Sequence, residues 1–347
     1  PAIDAGTDAT AAPDAASEPV VQIPRIACDV SCPGGPRAAR AGAPIVIAAG
    51  PPQDRVNALA VGPDAVYYGT VAGNVQARGQ LVRVPLAGGP ATALKTDVEV
   101  ERIRLDRDGT VYFVAGEVQA PATRLWSIAG AGPAVVSDVN DYGMDAVPTS
   151  GGLVWVEKAT PPGGIIEHHG STDAFSASPA LVMGTPHGLA LDDVDFYWAD
   201  GDGPSRLSRH PQNENSGNDE YGTVMTTAAD TLASPIAAGA DLYFLHAHPP
   251  GDCQGSVMVI PTAGGTPSLV SLGHSGSDVS SLAVDDAFVY WTTPDAGGLV
   301  FRAARGGGAP EVVATEQAAA RGVAVGAARV YWIATAAGGD EVRALDE

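Results

Sequence analysis

The chain has 347 residues, of which 45% are hydrophobic, 6% aromatic and 17% charged. Its formal net charge of −21 repels nucleic acid phosphates and anionic lipid, which excludes both as partners. No apolar run approaches the roughly 18 residues of a membrane-spanning helix, so we expect no transmembrane segment.

Two segments precede the regular part of the chain. Residues 1–24 are rich in Ala, Asp, Pro and Thr without apolar periodicity, which predicts a low-complexity spacer. This segment resembles the spacer that follows the N-terminus of secreted or lipid-anchored bacterial envelope proteins. The resemblance implies a secreted, periplasmic or outer-surface location. It also implies that any signal sequence has been removed, and it leaves room for a lipid anchor upstream of Pro1.

The second segment, residues 25–43, contains two of the three cysteines, Cys28 and Cys32. A CxxxC pair beside Pro and Gly can close a small disulfide loop in an oxidising compartment, which leaves Cys253 as the odd thiol. A bridge from Cys28 or Cys32 to Cys253 would instead tie this segment to the body. Free thiols are a third alternative, whereas the cysteines lack the second ligand pair of a zinc site.

Residues 44–347 repeat a pattern centred on one aromatic residue. Each aromatic follows an apolar run such as "LAVD" at residues 282–285, and strand-like runs separated by turns come after it. Successive aromatics are 41 to 47 residues apart: Tyr67, Tyr112, Trp155, Tyr197, Tyr243, Tyr290 and Tyr331. Four short strands per unit, without helical periodicity, are typical of a propeller blade. The sequence therefore predicts an all-β, seven-bladed β-propeller of four-stranded antiparallel blades.

The two ends of the repeat region complement each other. The last unit ends after its third strand, and "GAPIVIAAG" at residues 42–50 aligns with "GAPEVVATE" at residues 308–316, which is a fourth strand. We therefore expect a strand at residues 44–48 to complete the last blade and close the ring, which removes exposed sheet edges. The repeated aromatics are expected on the second strands, in the core between blades.

The unit at residues 282–314 resembles the YWTD repeat of the low-density lipoprotein receptor propellers. It shares "LAVD", "VYWT", an Arg on the third strand (Arg302) and a turn of small residues before the fourth strand. "FYWAD" at residues 196–200 is closest to the tetrapeptide, but most units lack its Asp, and those receptor domains have six blades. The units also resemble, more distantly, the short-strand repeats of NHL-type propellers and of virginiamycin B lyase. These propellers include binding scaffolds and enzymes, so the resemblance implies a fold and does not select a function.

Ligands of propellers usually lie at the mouth of the central channel, where the chain enters the inner strands. The residues just before the predicted inner strands are Asn57, Glu101, Asp145, His187, Ser234, Ser280 and Arg321. Such a ring could bind a cation or a small polar molecule, although channel rims are solvated and polar in any case. Asn57, Glu101, Asp145, His187, Ser280 and Arg321 are therefore the candidate ligand-binding residues.

A divalent metal site, with Zn or Ca, is a second hypothesis for this mouth. His246 and His248 alternate in "LHAHPP", which on a strand would place both imidazoles on one face, and His187 could be a third ligand. An exposed loop with two histidines is the alternative. Acidic clusters at residues 192–195, 200–203 and 213–220 suggest calcium, but they lack EF-hand spacing, and turns account for them as well.

The sequence contains no nucleophile elbow, Walker A loop or dinucleotide fingerprint. One hypothesis is a secreted or surface-tethered scaffold that binds a protein or a small polar ligand. The alternative is a metal-assisted lyase or hydrolase at the channel mouth. There a metal would act as Lewis acid, His187 or Glu101 as general base, and Arg321 would stabilise a developing anion. Neither the ligand nor the substrate follows from the sequence.

Overall fold

The computed structural model describes most of the repeat region. The described residues are 42–72, 79–106, 108–117, 123–129, 132–139, 143–149, 152–157, 165–170, 174–176, 186–201, 205–211, 222–227, 231–247, 255–272, 281–294, 297–326 and 328–347. The spacer at residues 1–24 and the residues Cys28, Cys32 and Cys253 lie outside these ranges, so the disulfide alternatives stay predictions. Within the ranges every regular element is a β-strand. No helix in this part of the chain is long and apolar enough to cross a membrane.

The strands are numbered β1 to β28, and β1 covers Ile45–Ala49. Sheet 1 contains β2 (Asp54–Val61), β3 (Ala65–Ala72), β4 (Gln80–Pro85) and β5 (Thr92–Thr96). Sheet 2 contains β6 (Val98–Leu105), β7 (Val111–Glu117), β8 (Thr123–Ile128) and β9 (Pro133–Val139). Sheet 3 contains β10 (Gly143–Thr149), β11 (Gly152–Glu157), β12 (Ile165–Gly170) and β13 (Ala174–Ser176). In each sheet, neighbouring strands are antiparallel and follow one another in the chain.

Three further sheets have the same order. Sheet 4 contains β14 (Pro186–Leu191), β15 (Asp195–Asp200), β16 (Arg206–Pro211) and β17 (Gly222–Thr226). Sheet 5 contains β18 (Thr231–Ala238), β19 (Asp241–Ala247), β20 (Ser256–Pro261) and β21 (Ser268–Leu272). Sheet 6 contains β22 (Ser281–Val284), β23 (Phe288–Thr293), β24 (Leu299–Ala304) and β25 (Glu311–Ala314).

The last sheet, here called the composite sheet, joins the two ends of the repeat region. It contains β26 (Arg321–Gly326), β27 (Arg329–Ala336) and β28 (Gly339–Asp346), and β1 pairs antiparallel with β28. The closing strand is Ile45–Ala49, whereas the sequence pattern predicts residues 44–48. The seven sequence repeats therefore correspond to six blades that are each continuous in the chain, not seven. The remaining four-stranded sheet exists only because the last three strands recruit β1.

Neighbouring sheets pack through their inner strands. Contacts join β2 to β6, β6 to β10, β10 to β14, β14 to β18, β18 to β22, β22 to β26, and β26 back to β2. Because this series of contacts returns to its starting strand, the inner strands line a central channel. The structure is therefore an all-β propeller with four-stranded antiparallel blades.

Five of the repeated aromatics are buried in the core between sheets, as predicted: Tyr67, Tyr197, Tyr243, Tyr290 and Tyr331. The side chain of Trp155 lies outside what the structure describes. Tyr197, Tyr243, Tyr290 and Tyr331 are at most 1% exposed, whereas Tyr112 is half-buried. The cluster around Tyr197 combines side chains of sheets 4 and 5. Similar clusters join sheets 1 and 2, sheets 5 and 6, sheet 6 and the composite sheet, and the composite sheet and sheet 1. A single four-stranded sheet cannot cover both of its own faces, so each blade is stabilised by burying apolar side chains against the next.

Candidate functional site: the central channel

The inner strands are interrupted by β-bulges. In β2 the pairing register shifts between Val56 and Ala58, and in β6 it shifts between Val100 and Arg102. Strands β10, β14, β18 and β26 have a shift at the corresponding place, whereas the described part of β22 has none. A bulge leaves residues out of the ladder and re-aims their side chains. The channel wall therefore has an irregular point at a similar height in most blades.

The residues predicted for the channel mouth lie at these bulges. Those within or beside a bulge are Asn57, Glu101, Asp145, His187, Ser234 and Arg321. They belong to the inner strands, and not to loops before them, because the bulge breaks the apolar alternation and hides the true start of the strand. Ser280 lies outside the described residues.

Glu101 places a carboxylate on the channel wall of β6. Burial raises the pKa of Glu101, the Arg102 guanidinium opposes this shift, and the Glu99 carboxylate adds to it. On the preceding inner strand, Asn57 Nδ2 donates a hydrogen bond to Val100 O at 3.4 Å, so the bulges of β2 and β6 are in contact. A partly desolvated carboxylate at this point is suited to accept a proton or to bind a cation.

The buried carboxylate of Asp145 forms an ion pair with the partly exposed Arg104, and this pair is here called the channel clamp. Arg104 donates from Nε to Asp145 Oδ1 at 3.2 Å and from Nη2 to Oδ2 at 2.6 Å. The Asp145 side chain is 3% exposed, and its attraction raises the pKa of Arg104. Asp145 Oδ2 also accepts from Leu189 N at 3.2 Å, while Arg104 Nη2 donates to Leu189 O at 3.5 Å. The pair thus holds both backbone groups of one residue on β14 and links three consecutive sheets.

Arg321 belongs to a second pair of the same construction, the closure clamp. Its Nη2 donates to Asp340 Oδ2 and to Val56 O, the latter at 2.8 Å. Val56 N donates to Asp340 Oδ2 at 2.9 Å. An Arg–Asp pair again binds the N–H and the C=O of one residue on another sheet. Arg321 is therefore engaged in joining the composite sheet to sheet 1.

The histidines of the predicted metal site lie on different elements. His187 lies at the β14 bulge, with Nε2 3.1 Å from Gly201 O. His246 lies inside β19, not in an exposed loop: it is 1% exposed, and its Nδ1 is 3.3 Å from Ser256 Oγ. His248 falls outside the described residues. Among those that are described, no three His, Cys, Asp or Glu side chains form a group able to hold a metal ion, and the zinc and calcium hypotheses stay predictions.

The acidic stretch at residues 192–195 forms a turn, as one interpretation of the sequence predicts. Asp192 Oδ1 accepts from Val194 N at 2.8 Å and from Asp195 N at 2.7 Å. Asp192 Oδ2 accepts from Tyr197 OH at 2.7 Å. Burial and this bond raise the pKa of Tyr197. Asp285 repeats the same bonds in sheet 6, so the Asp of "LALD" and "LAVD" shapes the inner hairpin and fixes the core tyrosine.

A cavity of about 400 Å³ lies where four successive inner strands end. Its lining includes residues of β6, β10, β14 and β18 and of the turns that follow β6 and β14. These strands belong to sheets 2 to 5, so the cavity faces the channel that they enclose. The residues predicted for the mouth precede this cavity along each inner strand. The cavity therefore lies at the other ends of the strands, where the sequence does not predict a site.

The cavity, here called the channel cavity, combines an apolar wall with carboxylates. Leu105, Leu191 and Ile236 contribute to the wall, and the acidic lining residues are Asp106, Asp192 and Asp193. Among the lining residues that the structure describes, Arg104 is the basic one, and it belongs to the channel clamp. The acid that ends "IRLD" and "LALDD" is the sequence signal for this site, but the same acid is equally typical of a turn.

The fold and the channel define the class of the protein, a β-propeller. No protein-family model and no curated protein sequence matches the chain. The finer resemblance to YWTD or NHL propellers therefore stays a prediction.

Solved structures with this fold include parts of peptidases. A puromycin-hydrolysing peptidase of Mycobacterium tuberculosis is 12% identical with a TM-score of 0.65, over 85% of this chain and 51% of its own. A prolyl endopeptidase is 14% identical with a TM-score of 0.61, over 87% and 47%. The β-propeller domain of the Trilobed protease from Pyrococcus furiosus is 10% identical with a TM-score of 0.62, over 85% and 94%. The chain spans about half the length of the first two and nearly all of the third, and at these identities the likeness shows the fold alone.

Proposed function

We propose that the protein is a ligand-binding propeller of a hydrolytic system, and that the channel cavity holds a short peptide or a related amide. The cavity is the observation that carries this proposal. Its volume of about 400 Å³ lies within the range of roughly 300–1,000 Å³ that is usual for small-molecule sites. Its mixture of apolar wall and a few polar groups is also usual for such sites.

The peptidase structures support the hydrolytic part of the proposal. Their matched parts have the same propeller fold, and roughly half of each peptidase chain lies outside the match. The proposal therefore concerns a propeller that binds substrate for a hydrolytic centre, in the same polypeptide or in a partner. The scaffold predicted from the sequence is the same binding function without hydrolysis. An envelope or extracellular location remains part of the proposal, on the basis of the N-terminal spacer.

The two clamps favour the channel cavity, and not the predicted mouth, as the binding site. Asp145 pairs with Arg104 and holds Leu189, while Arg321 pairs with Asp340 and holds Val56, so neither charge is presented to a ligand. Removing either of them would weaken the fold before it tested a binding role. A variant that fills the cavity without touching a clamp is therefore the better probe.

Leu191→Trp is such a variant, because Leu191 lines the cavity at the end of β14 and is half-buried. Leu269→Trp is its matched control, since Leu269 is 40% exposed on the outer strand β21. Binding of fluorescent di- and tripeptide amides is measured by anisotropy, and their hydrolysis by release of a chromogenic amine. We expect the parent chain and Leu269→Trp to bind these compounds, and Leu191→Trp to bind them about tenfold more weakly or worse.

The outcomes separate the two parts of the proposal. Binding without hydrolysis supports a propeller that serves a hydrolytic centre elsewhere. Hydrolysis that Leu191→Trp abolishes places the centre at the channel of this chain. If no peptide amide binds at about 1 mM, or if both tryptophan variants bind like the parent, the proposal is wrong.

A further inference from the structure

We propose that a peptide in the channel cavity pairs with β14 as an added strand, through the backbone N–H and C=O of Leu191. This inference rests on the proposed function and names what the cavity recognises, an extended main chain rather than one particular side chain. Each inner strand bonds to a second strand on one side only, so its other edge, here called the free edge, faces the channel. In β14 this edge borders the cavity, since Leu189, Ala190 and Leu191 all line it.

The pairing of β14 with β15 determines where the backbone groups of Leu191 point. In an antiparallel ladder, residues that exchange hydrogen bonds with the opposite strand alternate with residues whose N–H and C=O point away from it. Asp192 N donates to Asp195 O at 3.0 Å, so Asp192 is of the first kind. Leu191, which pairs with Phe196, is therefore of the second kind. Its N–H and C=O point across the free edge towards the channel.

Leu189, two residues earlier on the same strand, shows which partners the free edge accepts. Its N–H donates to Asp145 Oδ2 at 3.2 Å, and its C=O accepts from Arg104 Nη2 at 3.5 Å. The channel clamp thus gives one residue both an acceptor and a donor, as a neighbouring strand does. Leu191 lies about 7 Å further along β14 and directs the same two groups to the cavity.

The lining of the cavity suits an extended main chain. In each of its four inner strands, the residue that pairs just before the repeated aromatic lines the cavity: Leu105, Val147, Leu191 and Ala237. Backbone donors and acceptors therefore alternate with apolar side chains around it. A peptide group that leaves water needs both kinds of partner, and strand addition supplies them in pairs. Leu191 is the position we assign, because the clamp already binds the free edge of its strand.

Methylation of the peptide backbone tests the pairing without any change to the protein. The probe is acetyl-leucyl-alanine amide, with two analogues that carry a methyl group on the leucine or on the alanine nitrogen. Strand pairing uses the N–H of every second residue. We therefore expect methylation of one nitrogen to weaken binding about tenfold or more, and methylation of the other to change it by less than about twofold. Esters at the same two positions, which remove the N–H without added bulk, should give the same order. Affinities are measured by calorimetry.

Leu191→Pro tests the same pairing from the side of the protein. Proline removes the Leu191 N–H, which points away from β15, so no ladder bond is lost. Leu191→Ala is the matched variant, because it loses the side chain but keeps the N–H. Val284→Pro is the control, since Val284 pairs with Val289 at the same position of β22 and does not line the cavity.

We expect Leu191→Pro to bind the probe at least about fivefold more weakly than Leu191→Ala, and Val284→Pro to bind it like the parent chain. Thermal unfolding of the two proline variants separates a loss of binding from a loss of fold. If Leu191→Pro does not fold, the methylated and ester analogues decide the question on the parent chain.

The inference is overturned if the two methylated analogues bind equally well, whether tightly or weakly, because neither result shows the alternation of a strand. It is also overturned if folded Leu191→Pro binds the probe as tightly as Leu191→Ala. If all the peptides bind alike and Leu191→Trp abolishes their binding, the proposed function stands while strand addition fails. If no peptide binds the parent chain at about 1 mM, both are overturned.

Discussion

Val56 N donates a hydrogen bond of 2.9 Å to Asp340 Oδ2, although 284 positions separate the two residues in the chain. Val56 lies on the inner strand of sheet 1, and Asp340 lies on the last strand of the chain. Arg321 completes the contact by binding both Asp340 and Val56 O. Closure of the ring therefore depends on a buried charged pair as well as on the ladder between β1 and β28.

Removal of Asp340 should destabilise the ring strongly. In Asp340→Ala the Arg321 guanidinium and the Val56 N–H lose their buried acceptor, and breaking such a pair costs about 3–5 kcal/mol. Asp346→Ala is the matched control, because the Asp346 carboxylate pairs with Arg329 in the same sheet but is 77% exposed. Loss of that exposed pair costs about 0–1 kcal/mol. The free energies of unfolding come from urea denaturation, and equal losses in the two variants would contradict a closure role.

The channel clamp should behave as one unit. We expect Arg104→Met to destabilise the protein by about 3–5 kcal/mol, because it leaves the buried Asp145 carboxylate without its partner. Asp145→Leu should cost less, because the Arg104 side chain is 37% exposed and water can solvate its charge. The double variant replaces the pair by apolar side chains and should be much closer to the parent than the sum of the single changes. Additive losses in this double-mutant cycle would show that Arg104 and Asp145 act independently.

Stability should fall in alkali because of the buried tyrosines. Burial raises the pKa of Tyr197, and the bond to Asp192 adds to the shift. Burial likewise raises the pKa of Tyr290, together with bonds to Glu347 and Asp285. The unfolded chain releases these protons near pH 10.0, the ordinary value, whereas the folded chain keeps them. The stabilisation is thus complete below about pH 10 and is lost as the pH rises above it, since the unfolded state then binds fewer protons.

Tyr197→Phe and Tyr290→Phe test this dependence. Each should cost about 1 kcal/mol at pH 7 through the lost hydrogen bond, and each should make the decline of stability above about pH 10 less steep. The measurement is the free energy of unfolding between about pH 8 and pH 11. Parallel curves for the variants and the parent would exclude these two hydroxyls as the titrating groups.

Alanine should destabilise the protein at one of two adjacent glycines and change little at the other. A Cβ at Gly298 would lie 1.7 Å from Gln317 O, while a Cβ at Gly297 meets no atom within 4 Å. Gly298 O also accepts from Gln317 N at 3.0 Å, so two backbone segments touch here. Gly298→Ala should cost about 1–3 kcal/mol or more through forced backbone shifts, whereas Gly297→Ala should change little. Thermal unfolding of both variants checks this, and similar midpoints would refute the close approach.

The sequence predicts the parts of the fold that recur locally. Tyr197 and Tyr290 occupy the same place in their blades, so their spacing records the length of a repeat. The turns at Asp192 and Asp285 are also local, since each carboxylate binds N–H groups two and three residues ahead. Propensity and short-range hydrogen bonds are sufficient for such features.

The site depends on contacts that no local pattern records. Arg104 and Asp145 are 41 residues apart, and only the ring places them together, so Asp145 resembles a ligand at the level of sequence. Because the bulges interrupt the apolar pattern, the inner strands begin earlier than the sequence predicts. Glu101 and His187 therefore lie in strands and not in loops. The sequence does not predict the channel cavity for the same reason, because the cavity forms only where the ends of four strands converge.

The composite sheet also determines when the fold can be finished during translation. Strand β1 leaves the ribosome first, and its partner β28 leaves last. Pairing across such a distance is slow, and until it occurs Ile45 and Val46 belong to an apolar strand without a ladder, which is prone to associate with other chains. A circular permutant that starts at β2 and carries β1 behind β28 would bring the two strands out together. It should need less protection by chaperones than the natural order of the chain.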